Sequence, residues 1–144
     1  MQMNARHIQT LAVDPGGTTG ICWRLFDGGV GHEQMPAATA QAFALDILEE
    51  RYFPPLAIVM ESFILHPSVL KKSRQGVHDA IETIGVFRAV ASAMGIAFVE
   101  QPPANGKRIG NDTLREVGLY VVGLEHARDA ARHLALYEMK ESLK

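Results

Sequence analysis

The sequence predicts an α/β domain built on a mixed five-stranded sheet, three antiparallel strands followed by parallel ones, with helices on both faces. Three observations carry this expectation. A hairpin signal, Asp27-Gly28-Gly29, lies between two strand-like segments. An unbroken apolar run, Leu56-Ala57-Ile58-Val59-Met60, suits a central parallel strand covered on both sides. After residue 36, segments with helical spacing alternate with short apolar runs, the pattern of crossover connections. The chain has 144 residues, 47% apolar and 21% charged, which fits one domain over 1–144 with a core that needs no disulfide.

The first strand is read at 8–14, Ile-Gln-Thr-Leu-Ala-Val-Asp, turning at Pro15-Gly16-Gly17. A second strand follows through Thr19-Gly20-Ile21-Cys22-Trp23-Arg24-Leu25, and a third returns near 29–35. Ala37, Ala40, Phe43, Ala44, Ile47 and Leu48 form a helical stripe over 37–51, stopped by Pro54-Pro55. The fourth strand ends on Glu61, and residues 66–76 read as a polar, basic loop. Val77, Ala80, Ile81, Ile84, Phe87, Ala91 and Met94 predict a helix over 76–94, with Gly95 placed to end it. A fifth strand is read at 96–99, a loop at 101–107, a short helix capped by Asn111-Asp112, and a last helix over 125–140. This β-β-β-α-β-α-β-α-α order resembles the ribonuclease H-like fold.

Composition restricts the partners little. Fourteen Lys and Arg against sixteen Asp and Glu give a net charge of −2, no global footprint of a nucleic-acid binder. The tightest basic cluster is Lys71, Lys72 and Arg74, with Lys107-Arg108 further on. One cysteine, Cys22, excludes an internal disulfide and fits a reducing compartment; beside Trp23 it reads as core. No run approaches the ~20 apolar residues of a membrane span, and the polar start resembles no signal peptide, so a cytoplasmic location is expected.

Three acids stand where chemistry is expected. Asp14 ends strand one and Glu61 ends strand four. If those strands are parallel neighbours, both carboxylates emerge at one end of the sheet, where α/β folds place their sites. Close carboxylates repel unless a cation or a shared proton neutralises them. The alternative is that Asp14 opens a turn and Glu61 caps a helix. In the last helix, His126, Asp129 and His133 share one face, while Ala127, Ala130, Ala131 and Leu134 allow a close approach to the sheet. His126 and Asp129 could instead serve the helix N-terminus. Taken together, three carboxylates and an imidazole suit Mg²⁺, with Mn²⁺ as substitute, and two such ions can hydrolyse a phosphodiester. The chain has neither a Walker A lysine motif nor the elements of a serine triad.

Asp14-Pro15-Gly16-Gly17-Thr18-Thr19-Gly20, Glu61 and His126-x-x-Asp129-Ala130 resemble the RuvC family of Holliday-junction resolvases, especially its compact phage-type relatives. The element order matches over nearly the whole chain; the specific residues lie in these three blocks. The resemblance implies a homodimeric Mg²⁺-dependent endodeoxyribonuclease that nicks four-way DNA junctions symmetrically, in the host cytoplasm if phage-encoded. It implies Asp14, Glu61 and Asp129 as metal ligands and catalytic residues. It implies His126 at the fourth catalytic and metal-binding position, which family members fill with His or Asp. Family members also carry a junction-stacking aromatic soon after the strand-four acid; Phe63 is nearby in a shifted register. Lys71, Lys72, Arg74 and Lys107 are the expected DNA contacts, and the 76–94 helix, with Val86, Phe87 and Val90, the expected dimer surface.

Two other enzyme classes share parts of this pattern. YqgF-type nucleases, implicated in ribosomal-RNA processing, have a similar fold and similar acids; the basic segment at 71–74 and the His126-x-x-Asp129 pair favour RuvC. An actin-like or sugar-kinase-like ATPase shares the loop Asp14-x-Gly16-Gly17-Thr18-x-x-Gly20, but it needs two such domains and a second phosphate loop. A non-catalytic DNA-binding domain on this fold would show a lost acid, and all four positions are filled.

Overall fold

Residues 7–51, 53–63 and 74–144 are described by the computed structural model. Strands β1 (Ile8–Asp14), β2 (Thr18–Leu25) and β3 (Val30–Pro36) form an antiparallel meander, followed by helix α1 (Ala37–Leu48). Strand β4 (Ala57–Glu61), helix α2 (Arg74–Met94) and strand β5 (Ala97–Gln101) come next, then helices α3 (Pro103–Gly106), α4 (Asn111–Glu116) and α5 (Glu125–Ser142). The five strands lie in the order β3-β2-β1-β4-β5. β4 runs parallel to β1 and β5 parallel to β4, so the expected mixed sheet is present.

Alternation along the central strands divides the core between the two faces. Leu11, Val13, Ile21, Ile58 and Met60 point to one side, where Phe43 and Ile47 of α1 and Ile84, Phe87 and Val90 of α2 cover them. Ala12, Cys22 and Val59 point to the other, against Leu114, Leu119, Ala130, Ala131 and Leu134. Cys22 is fully buried there, as its place beside Trp23 leads one to expect. Small residues dominate this second face, so α5 packs directly on β1 and β2.

Several boundaries differ from the sequence expectation, each for a local reason. α1 ends at Leu48 rather than 51, because Glu50 adopts a left-handed backbone (φ 60°) ahead of the two prolines. α2 starts at Arg74, inside the segment read as a loop. β5 continues to Gln101 because β4 pairs with it as far as Glu61↔Gln101. The loop read at 101–107 contains α3, started by a proline in its first turn. Gly110, not Asn111 or Asp112, takes the N-cap of α4, and no side chain caps it. Asp112 sits in the first turn instead and pairs with Arg115 at 3.0 Å.

The expected dimer surface needs correcting in its residues. Phe87 and Val90 are fully buried, and Val86 packs against the same cluster. The wide apolar arc of α2 is satisfied inside the molecule, by α1 on one flank and the sheet on the other. Its exposed residues include Ile81, Gly85 and Ala89.

Candidate active site

Asp14 and Glu61 emerge together because β1 and β4 are parallel neighbours in register, Val13 opposite Met60. Asp14 is nearly buried, while Glu61 is half-buried at the last residue of its strand. α5 brings Asp129 and His126 to the same end. Its approach depends on Gly20, the partner of Asp14 across the β1–β2 ladder. A Cβ at Gly20 would collide with the carbonyl group of His126. The start of α5 is then fixed by the Gln34 side chain of β3. Its Oε1 accepts hydrogen bonds from the His126 N–H at 2.7 Å and the Ala127 N–H at 3.3 Å, satisfying two otherwise unpaired helix donors.

In that position His126 Nδ1 lies 3.5 Å from Asp14 Oδ2, with its ring half exposed. Burial, then the carboxylates of Glu61 and Asp129, push Asp14 up to about 9, and its side chain hydrogen-bonds Glu61. Burial and crowding by its neighbours thus favour the protonated form of Asp14. Asp129 is also raised, chiefly by burial, against the opposing pull of Arg132. Three carboxyl groups thus share one end of the sheet with too little positive charge between them.

Two neighbours engage the outer acids. Arg132 Nη1 donates to Asp129 Oδ1 at 2.9 Å, while its Nε donates to the Ile109 carbonyl at 3.0 Å and its Nη2 to Asn111 Oδ1 at 2.5 Å. His133 Nε2 lies 3.0 Å from Glu61 Oε2. In this arrangement no three of the described His, Cys, Asp and Glu side chains form a closed ligand cage. The donor chemistry nevertheless fits a hard divalent cation: carboxyl oxygens crowded together at one end of the sheet, with little positive charge to offset them. Beside them opens a cleft of about 420 Å³, lined by Glu61, Asp129, Arg132, His133, Lys107 and Asn111 among others.

The structure thus gathers Asp14, Glu61, His126 and Asp129, with Lys107 on the cleft wall. Arg74 is exposed at the start of α2, whereas Lys71 and Lys72 lie outside the described residues. Phe63 is partly buried against the first core cluster and lines a separate hollow of about 280 Å³ with Ile81, Ile84 and Arg88. Sequence reading did not assign Gln34, Gln101, Arg132 or His133 to the site. For His133 the signal was its place on the His126 and Asp129 face; for Gln101 it was the register of a parallel strand beside Glu61.

No family model and no curated protein sequence matches the chain. Solved structures do. Thermus thermophilus RuvC in complex with a Holliday junction substrate superposes with a TM-score of 0.65 at 14% identity, covering 93% of this chain and 94% of that one. A further Thermus thermophilus RuvC structure gives 0.59 at 16% identity, covering 93% and 95%. The yeast mitochondrial Holliday junction resolvase Ydc2 gives 0.60 at 10% identity, covering 98% and 82%. The chain shares the RuvC-like, ribonuclease H-like fold of these structures.

Proposed function

We propose that the protein is a divalent-metal-dependent endonuclease that cuts branched DNA, with the four-way junction as its substrate. The observation that carries this reading is the carboxyl cluster at the ends of β1 and β4, where burial and the neighbouring Glu61 and Asp129 push Asp14 up to about 9. The fold adds support, since the similar RuvC structure is described in complex with a Holliday junction substrate.

In this reading Asp14, Glu61 and Asp129 would hold Mg²⁺ or Mn²⁺, two ions per site, with Asp14 serving as a deprotonated ligand. When bound, such ions activate a water and neutralise charge on the phosphodiester. His126, half exposed and beside Asp14, takes or delivers a proton at the attacking water or the leaving oxygen, or adds a nitrogen ligand. Lys107 and Arg132 present positive charge along the cleft wall, where a strand's phosphates would run. Lys71, Lys72 and Arg74 add phosphate contacts, and Phe63 the apolar contact with an opened base.

A four-way junction presents two symmetric cutting sites, which a two-fold dimer matches. The proposed interface uses the exposed Ile81–Gly85–Ala89 side of α2 rather than its buried side. Light scattering should give a dimer mass at micromolar protein; a monomer with full junction cleavage would remove the dimer from this account.

The deciding comparison offers a four-way junction, a linear duplex and a structured RNA under Mg²⁺. Junction cleavage that stops with chelator, with the duplex and RNA left intact, is expected. Cleavage of RNA alone would replace this reading with an RNA-processing nuclease.

A further inference from the structure

We infer that His133 is a positioning residue that holds the Glu61 carboxylate in its metal-binding orientation through a buried Gln101–His133–Glu61 chain. The inference rests on the reading of Glu61 as a metal ligand. His133 lies one helical turn beyond Asp129 on α5, and at 1% exposure its imidazole is closed off from water. Nε2 faces Glu61 Oε2 at 3.0 Å and Nδ1 faces Gln101 Oε1 at 2.8 Å. A carboxylate oxygen can only accept, so Nε2 is the donor to Glu61, and Nδ1 of the neutral ring accepts from Gln101, whose amide N–H takes the place of Oε1 once the amide is turned over.

Three separate features of the fold set this chain. The parallel register places Gln101 directly beside Glu61. Gln101 is itself buried, and its carbonyl accepts the Ser62 N–H at 2.8 Å, closing the strand ends together. Gly106 of α3 then covers the ring: a Cβ there would stand 2.8 Å from Nε2 and 3.0 Å from Cε1. Contacts at both ring nitrogens hold the imidazole's orientation, so the hydrogen on Nε2 points at Glu61. Glu61 Oε2 is tied to His133, and the carboxylate keeps its place on the wall of the cleft that also holds Asp129. Burying an imidazole between an amide and a carboxylate has no value for packing alone, since an apolar side chain of that size would fill the space without needing partners.

The test measures Mn²⁺ binding by titration calorimetry on the whole protein without DNA, for wild type, Glu61→Gln, His133→Gln and His133→Asn. The glutamine amide nitrogen falls near the position of Nε2 and keeps a donor toward Glu61. The asparagine amide falls near Nδ1 and keeps only the Gln101 side. Partners at this remove typically change metal affinity by about 10–100-fold, so His133→Asn should weaken Mn²⁺ by at least about tenfold and His133→Gln by less than about threefold. Gly106→Ala, which presses on the ring while leaving His133 in place, should also weaken Mn²⁺ binding; it keeps the test open if a His133 variant fails to fold. Equal Mn²⁺ affinity in His133→Asn, Gly106→Ala and wild type, with Glu61→Gln impaired, would overturn the role of His133 alone. A wild type that binds no Mn²⁺, or a Glu61→Gln variant that binds it normally, would overturn the metal-ligand reading and this inference with it.

Discussion

Replacing Asp14 with asparagine should stabilise the metal-free protein, and the gain should grow with pH. An unfolded aspartate titrates near 3.8, whereas the folded one is pushed up to about 9. Between those values the folded chain holds one proton that the unfolded chain has released, so wild-type stability falls as pH rises, by about 1.4 kcal/mol per pH unit. From the unfolded value to pH 7 the accumulated loss is about 4 kcal/mol. Asparagine does not titrate, and its amide can still donate to Glu61 as the protonated carboxyl does. The variant should therefore match wild type near pH 4 and exceed it by about 4 kcal/mol at pH 7. Urea unfolding in the presence of chelator, repeated across this pH range, reads the difference directly. Adding Mg²⁺ should close the gap by stabilising wild type and leaving the variant unchanged. A variant no more stable than wild type at pH 7, or a gap independent of pH, would refute the crowded-carboxyl account of this site.

The other expectations address its remaining parts. Gly20→Ala should lower stability by about 2 kcal/mol or more in thermal or urea melts, because the added methyl group meets the His126 carbonyl group and pushes α5 off the sheet. His126→Ala should reduce junction cleavage by about 10²–10⁴-fold while His126→Asp keeps substantial activity, as single-turnover rates will show. A Lys71, Lys72 and Arg74 triple alanine variant should bind junction DNA more weakly. Its log–log salt slope should flatten by about 0.9 for each phosphate that the variant no longer neutralises.

Much of this architecture can be read from residue order because it rests on local, periodic signals. The acids that end β1 and β4 follow apolar strand residues, and parallel pairing then leaves them no other end of the sheet. The spacing of α5 declares a face of small residues, and Gly20 supplies the matching gap in the strand below. What stays hidden depends on distant register or on competition between neighbours. Phe87 and Val90 look like a surplus apolar arc until α1 is known to cover that flank of α2. The Gln101–His133–Glu61 chain joins three elements, and no spacing in the sequence links them. Arg132 reads as a solvated helix charge, yet its guanidinium is bound to Asp129, Asn111 and the Ile109 carbonyl at once. α3 escapes notice because a single turn carries no period.

The most direct test of the central claim is single-turnover cleavage of a four-way junction with Mg²⁺ by wild type, Asp14→Asn, Glu61→Gln and Asp129→Asn, alongside junction binding in chelator. A metal-holding carboxyl cluster predicts chelator-sensitive cutting by wild type, none by the three folded variants, and binding retained by all four. Folded variants that each cut at the wild-type rate, or a wild type that cuts in chelator, would contradict it.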